Sequence, residues 1–206
     1  MSPFRSRRSL CRTAAAGSLV VAALAVMAPP SSAERLPPLG TDFAVEGMVT
    51  GDQDSMPMTL RHRAGVARVE IAMSGQTVVS LLELVARKAT GIISAGGRTM
   101  VVEMQLDQLP AGNHLCVTEG TRVGASSVLG EACDEYETSV KETPTPSRLC
   151  VTRDGIPLRS VDIATGRTTW LATRVSRAPQ DAALFQAPPG AMRLPSGAVP
   201  KPVNTK

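Results

Sequence analysis

Between residues 43 and 106, apolar and polar positions alternate with a period of two, the mark of half-buried strands rather than helices. Phe43, Val45, Gly47 and Val49 fall on one face, with Ala44 and Glu46 on the other. Gly51-Asp52-Gln53-Asp54 then marks a turn. Met56, Met58, Leu60 and His62 share the next face, opposed by Thr59, Arg61 and Arg63. Val69, Ile71 and Met73 follow, opposed by Arg68 and Glu70. Residues 78–85 (VVSLLELV) are apolar on both faces, which fits a strand covered on both sides or a short buried helix. Their β-branched start favours the strand. Residues 89–94 and 98–106 complete the run, with Met100, Val102, Met104 and Leu106 on one side of the last. Short turns join these segments as hairpins, so the pattern predicts an antiparallel meander of about six strands.

The second half repeats the style less regularly, at residues 121–128, 133–140, 148–153, 156–163 and 168–175. Residues 181–185 read as one helical turn capped by Asp181, and residues 107–112 as a short helix or loop. So long an antiparallel sheet, with little helix to cover it, must curl. The expected fold is mainly β: a curved antiparallel sheet or half-barrel with few short helices, spanning residues 42–194. Residues 34–41, with Pro37 and Pro38, read as an extended linker, and residues 195–206 as an irregular tail.

Residues 1–33 read as an export signal peptide. Arginines at 5, 7, 8 and 12 precede the apolar run AAAGSLVVAALAVMA at residues 14–28, and Ser31-Ser32-Ala33 suits cleavage before Glu34. The run is shorter than the ~20 residues of a spanning helix, so no stable membrane span is expected in the mature form. The expected location is the periplasm, reached by the Sec route or, from Ser6-Arg7-Arg8-Ser9-Leu10, the twin-arginine route. This leader also accounts for the net charge of +4. Four of the 22 basic residues lie in it, which leaves 18 against 18 acidic residues. A neutral body whose aromatics are Phe43, Tyr136, Trp170 and Phe185 offers no basic footprint or stacking platform for nucleic acid.

Beyond the leader lie Cys116, Cys133 and Cys150, which allow three single pairings in an oxidising compartment. Hairpin geometry favours Cys133 with Cys150, in a register opposing 133 to 150 and 136 to 147, and leaves Cys116 as a free thiol. A zinc site from His114, Cys116, Cys133 and Cys150 is the alternative, although it lacks a paired C-x₂₋₄-C element. No nucleophile, base and charge-stabilising group fall together. Gly124-Ala125-Ser126-Ser127 lacks the second glycine of a nucleophile elbow, and neither a P-loop nor a dinucleotide fingerprint occurs. The Asp52-x-Asp54 pair and the acids Glu131, Asp134, Glu135 and Glu137 read as solvated charge. An enzyme is not expected, nor a cofactor.

Methionine is the unusual ingredient: six of the seven beyond the leader fall in the first meander. Flexible thioethers fill irregular cores and also suit ligands of variable shape. The candidate apolar face is Met56, Met58, Leu60, Val69, Ile71, Met73, Met100, Val102 and Met104. A copper site at Met56-x-Met58 with His62 is a further reading, since thioethers select Cu(I).

Three stretches carry a family resemblance. They are the run from Asp42 to Gly47 with Met58-Thr59-Leu60 and Val69-Glu70-Ile71, the run VLGEACDEY at 128–136 with LCVTRDGIPLR at 149–159, and ALFQAPPG at 183–190. Over residues 42–194 the chain resembles the periplasmic lipoprotein-carrier (LolA/LolB-like) superfamily, in particular its relatives known as a domain of unknown function. The resemblance implies a curved half-barrel whose concave face holds acyl chains. The expected function is therefore non-enzymatic binding of a lipid or a lipidated partner outside the cytoplasm. The alternatives are an envelope sensor or protein-interaction module without a small-molecule ligand, and copper binding.

Overall fold

The computed structural model describes residues 33–51, 54–73, 76–95, 97–106, 118–138 and 146–195. The leader, Asp52, residues 107–112, His114, Cys116 and the tail from 196 lie outside these residues. The chain divides into Met1–Pro30 and Ser31–Lys206, and all that follows concerns the second unit.

A two-residue strand β1 (Glu34–Arg35) precedes a six-strand meander: β2 (Phe43–Thr50), β3 (Ser55–Arg63), β4 (Val66–Met73), β5 (Gln76–Glu83), β6 (Lys88–Ala95) and β7 (Arg98–Gln105). A second meander follows with β8 (Glu119–Val128), β9 (Glu131–Glu137), β10 (Ser147–Val151), β11 (Pro157–Asp162) and β12 (Thr168–Ser176). Strand β12 pairs antiparallel with β2 and fuses the two meanders. Strand β13 (Met192–Leu194) adds parallel to β7. The result is one 13-stranded sheet in the order β1-β8-β9-β10-β11-β12-β2-β3-β4-β5-β6-β7-β13.

Period-two alternation becomes rows across this sheet. Val45, Leu60, Val69, Ser80, Gly91 and Val102 stand side by side, and Gly47, Met58, Ile71, Val78, Ile93 and Met100 form the next row. On that side Phe43, Val45, Leu60, Val69 and Leu82 join Ile156, Leu158, Trp170 and Ala172 of the second meander in one core. A sheet whose two halves share a core on one face has to bend around it, and the curved half-barrel expected from the sequence is what forms.

The opposite face is charged over β3 and β4 and apolar over β5 to β7, where Val79, Leu81, Ile92 and Val101 cluster. A strap formed by residues 177–191 covers them. Arg63 donates to the Gln180 carbonyl, and Arg68 donates to the Leu184 carbonyl at 2.7 Å. Asp181 caps a single 3-10 turn, Ala182–Phe185, by accepting the Ala183 N–H at 2.9 Å. Ala187 and Ala191 then pack on the apolar cluster. This explains why residues 78–83 are apolar on both faces: Leu82 faces the main core and Leu81 faces the strap. The strand is shorter than the apolar run, however. It ends at Glu83, and Val85 stands 94% exposed in the turn that follows.

The disulfide joins Cys133 and Cys150, with Cα atoms 5.4 Å apart. The register differs from the expected one by two residues. Cys150 stands opposite Glu135 and Leu149 opposite Tyr136, so the bridge runs diagonally across β9 and β10. A shift of two keeps every side chain on its own face, so the burial pattern is the same in both registers. What selects the observed one is the end of the ladder, where Thr138 N–H meets the Ser147 carbonyl at 2.9 Å and Arg148 meets Glu137 at 2.7 Å.

Candidate functional site

At one end of the half-barrel a cavity of about 530 Å³ remains. It lies where the β3–β4 turn, the β5–β6 turn, the start of β8 and strands β10 and β11 converge on residues 35–39. Its wall is largely aliphatic: Leu36, Pro37, Pro38, Leu39, Leu84, Val85, Leu106, Leu149, Val151 and Pro157. The volume falls in the roughly 300–1,000 Å³ range of small-molecule sites, which combine an apolar lining with few polar groups.

Residues 34–41, read as a linker, supply one wall. Glu34 and Arg35 pair with Gly120 and Glu119, and Leu36 N–H donates to the Thr118 carbonyl at 2.9 Å. Leu36 packs with Tyr136, Leu149 and Val151, and Leu39 packs against the main core. Opposite, Gly155 has φ +85°, and a Cβ there would meet the Pro38 carbonyl oxygen at 2.5 Å. Glycine therefore both turns the chain and lets the proline segment lie against it.

Residues 152–156 form the outer corner of this wall and are fixed by side chains. Thr152 donates to Asp154 at 2.6 Å and accepts the Ile156 N–H at 2.9 Å. Arg177 grips Glu131 through two hydrogen bonds of 2.7 Å, and its Nε donates to Asp154 at 2.7 Å. Its hydrogen bonds hold both carboxyls below the usual carboxylate range. Lowered folded pKa values stabilise the fold above the unfolded value of about 4, and that stability is lost as pH falls through the folded values. These side chains are partly exposed and so screened. Arg177→Met is accordingly expected to cost about 1 kcal/mol at pH 7. In urea titrations the difference from wild type should shrink toward pH 3; a difference independent of pH would contradict this assignment.

His62 also borders the cavity and is 3% exposed. Its ring stacks on Phe43 with centroids 5.5 Å apart. Nδ1 lies 2.8 Å from the Thr41 carbonyl, which requires the proton on Nδ1, and Nε2 accepts the Gly65 N–H at 3.2 Å. Both nitrogens are thus engaged by backbone, which removes His62 as a free ligand for the copper reading. The zinc reading fails on chemistry, because Cys133 and Cys150 are bonded to each other. Each acid around Cys133 has an arginine: Glu131 with Arg177, Asp134 with Arg122, Glu135 with Arg159, Glu137 with Arg148. Ser126 lies within β8 opposite Cys133, not on a strand-to-helix turn.

The nine residues of the expected apolar face do share one side of the sheet, but none borders this cavity. Leu60, Val69 and Val102 are buried core, and Met58, Ile71 and Met104 pack against it. Met56 and Met100 are half-buried, and Met73 is 45% exposed at a strand end. Pattern reading overlooked Leu36 and Leu39. Their spacing of three around Pro37-Pro38 was the available signal, since a polyproline helix has three residues per turn and places both on one side.

The fold and cavity define an open antiparallel half-barrel with an apolar pocket at one end. No family model and no curated protein matches the chain. Among solved structures it is similar to MucB, described in complex with MucA(peri), at 21% identity and a TM-score of 0.45. That match covers 75% of this chain and 56% of the MucB chain, so the likeness spans little more than half of the MucB chain's length. No helix among the described residues is long and apolar enough to cross a membrane.

Proposed function

We propose that this is a non-enzymatic extracytoplasmic protein that holds an apolar chain, from a lipid or an acylated partner, in the end cavity. The observation that carries the reading is the cavity itself, about 530 Å³ behind a largely aliphatic wall. The site is moved from the nine-residue face to the end of the sheet because the centre of that face is filled by its own side chains. Location outside the cytoplasm rests on the export leader, and it agrees with the disulfide, a bond that persists in oxidising compartments. The engagement of both His62 ring nitrogens by backbone favours binding over catalysis.

The test is uptake of N-phenylnaphthylamine, whose fluorescence rises in apolar surroundings, and its displacement by long-chain lipids. Wild type should take up the dye saturably. Leu84→Trp, a larger side chain on the cavity wall, should weaken uptake by about tenfold or more while the melting temperature holds. Met73→Ala, at the far end of the face, should leave uptake unchanged. Absence of saturable uptake, or full retention by Leu84→Trp, would reject the site.

A further inference from the structure

We infer that the ligand of this cavity is an amphiphile with an anionic head, a carboxylate or a phosphate, held by Arg87. The inference rests on the cavity reading above. Among the described residues, the charged or titratable groups on the lining are Arg35, Arg87, Glu119 and His62. Arg35 stands directly opposite Glu119 in the β1–β8 ladder, a cross-strand position that favours opposite charges. His62 is committed to backbone at both nitrogens. The neighbouring pair Glu83 and Lys88 face each other across β5 and β6. Neither Arg35 nor Arg87 forms a salt bridge among the described residues, but Arg87, exposed in the β5–β6 turn, is the one with no acid set opposite it in a ladder.

Its backbone makes the choice of residue harder to explain by folding. Arg87 closes the β5–β6 turn with φ +53°, a left-handed conformation that suits glycine or asparagine and that arginine rarely adopts. The Arg87 carbonyl accepts the Leu106 N–H at 3.0 Å, which fixes the turn against the end of β7. The turn thus tolerates an unfavourable residue, exposed to solvent, on the lining of a largely aliphatic cavity. An exposed guanidinium at this turn matches a carboxylate or phosphate through paired hydrogen bonds. Arg87 is therefore read as a headgroup residue, and the aliphatic wall as the seat of the chain.

The experiment displaces the dye from the full chain with three probes of equal length: hexadecanoic acid, hexadecyl phosphate and hexadecanol. Wild type should prefer the two anions over the alcohol by about tenfold. The ratio between acid and phosphate identifies the kind of head. Arg87→Gly should abolish the preference by weakening the two anions, and melt at the same or a higher temperature because the turn is relieved. Equal binding of all three probes by wild type, or a preference that survives in Arg87→Gly, would overturn the headgroup assignment while the cavity reading stands. Binding of none of the three overturns the cavity reading and this inference with it.

Discussion

Alanine at Gly47 is expected to lower stability by about 3 kcal/mol or more, at the upper end of overpacking effects and a large part of what a domain of this size possesses. A Cβ built at Gly47 lies 2.3 Å from the Leu171 carbonyl oxygen and 2.5 Å from the Trp170 ring. The first of these atoms is backbone of β12 and the second a ring 5% exposed, with its Nε1 bonded to the Pro157 carbonyl at 3.1 Å. Neither can give way cheaply. Because β12 and β2 are the strands that fuse the two meanders, the damage falls on the seam of the half-barrel. Denaturant titration should show a lower midpoint; an unchanged midpoint would mean that the seam is looser than described.

Removing the disulfide ranks with it. Cys133→Ala with Cys150→Ala frees a segment whose ends are 17 residues apart in sequence, which raises the entropy of the unfolded chain. The expected loss is about 3 kcal/mol. For a domain of this size that corresponds to a fall of about 6–12 °C in melting temperature. A reducing agent should lower the wild-type melting temperature by a similar amount and leave the double variant unmoved. Equal melting temperatures for all three samples would show that the bridge does not constrain the unfolded state.

Strand positions in the first meander were legible because the alternation there is local. The expected segment 98–106 became β7 (Arg98–Gln105), and the strand begun at Phe43 ends at Thr50. The double-sided run at 78–85 signalled cover on both faces only as far as Glu83, where the strand ends, and nothing in it named the strap that provides the outer cover. Trp170 and Gly47 illustrate a different limit. The glycine could be placed on the apolar face, yet its role depends on a tryptophan 123 positions away that meets it when β12 pairs with β2. The cavity was hidden for the same reason. Its walls come from the segments 35–39, 62–65, 84–87 and 149–157 with Leu106, Thr118 and Glu119, which the closing of the sheet assembles. Alternation identified the apolar face, and it could not say which part of that face would fill itself.

An apolar chain is proposed to enter the end cavity and not the middle of the sheet. Methyl NMR on the full chain, with leucine, valine, isoleucine and methionine labelled and hexadecanoic acid added, reads this position by position. Shifts are expected at Leu36, Leu39, Leu84, Leu106, Leu149 and Val151, with Met58, Ile71 and Met100 nearly still. Shifts confined to those three central residues, or no shifts anywhere, would contradict it.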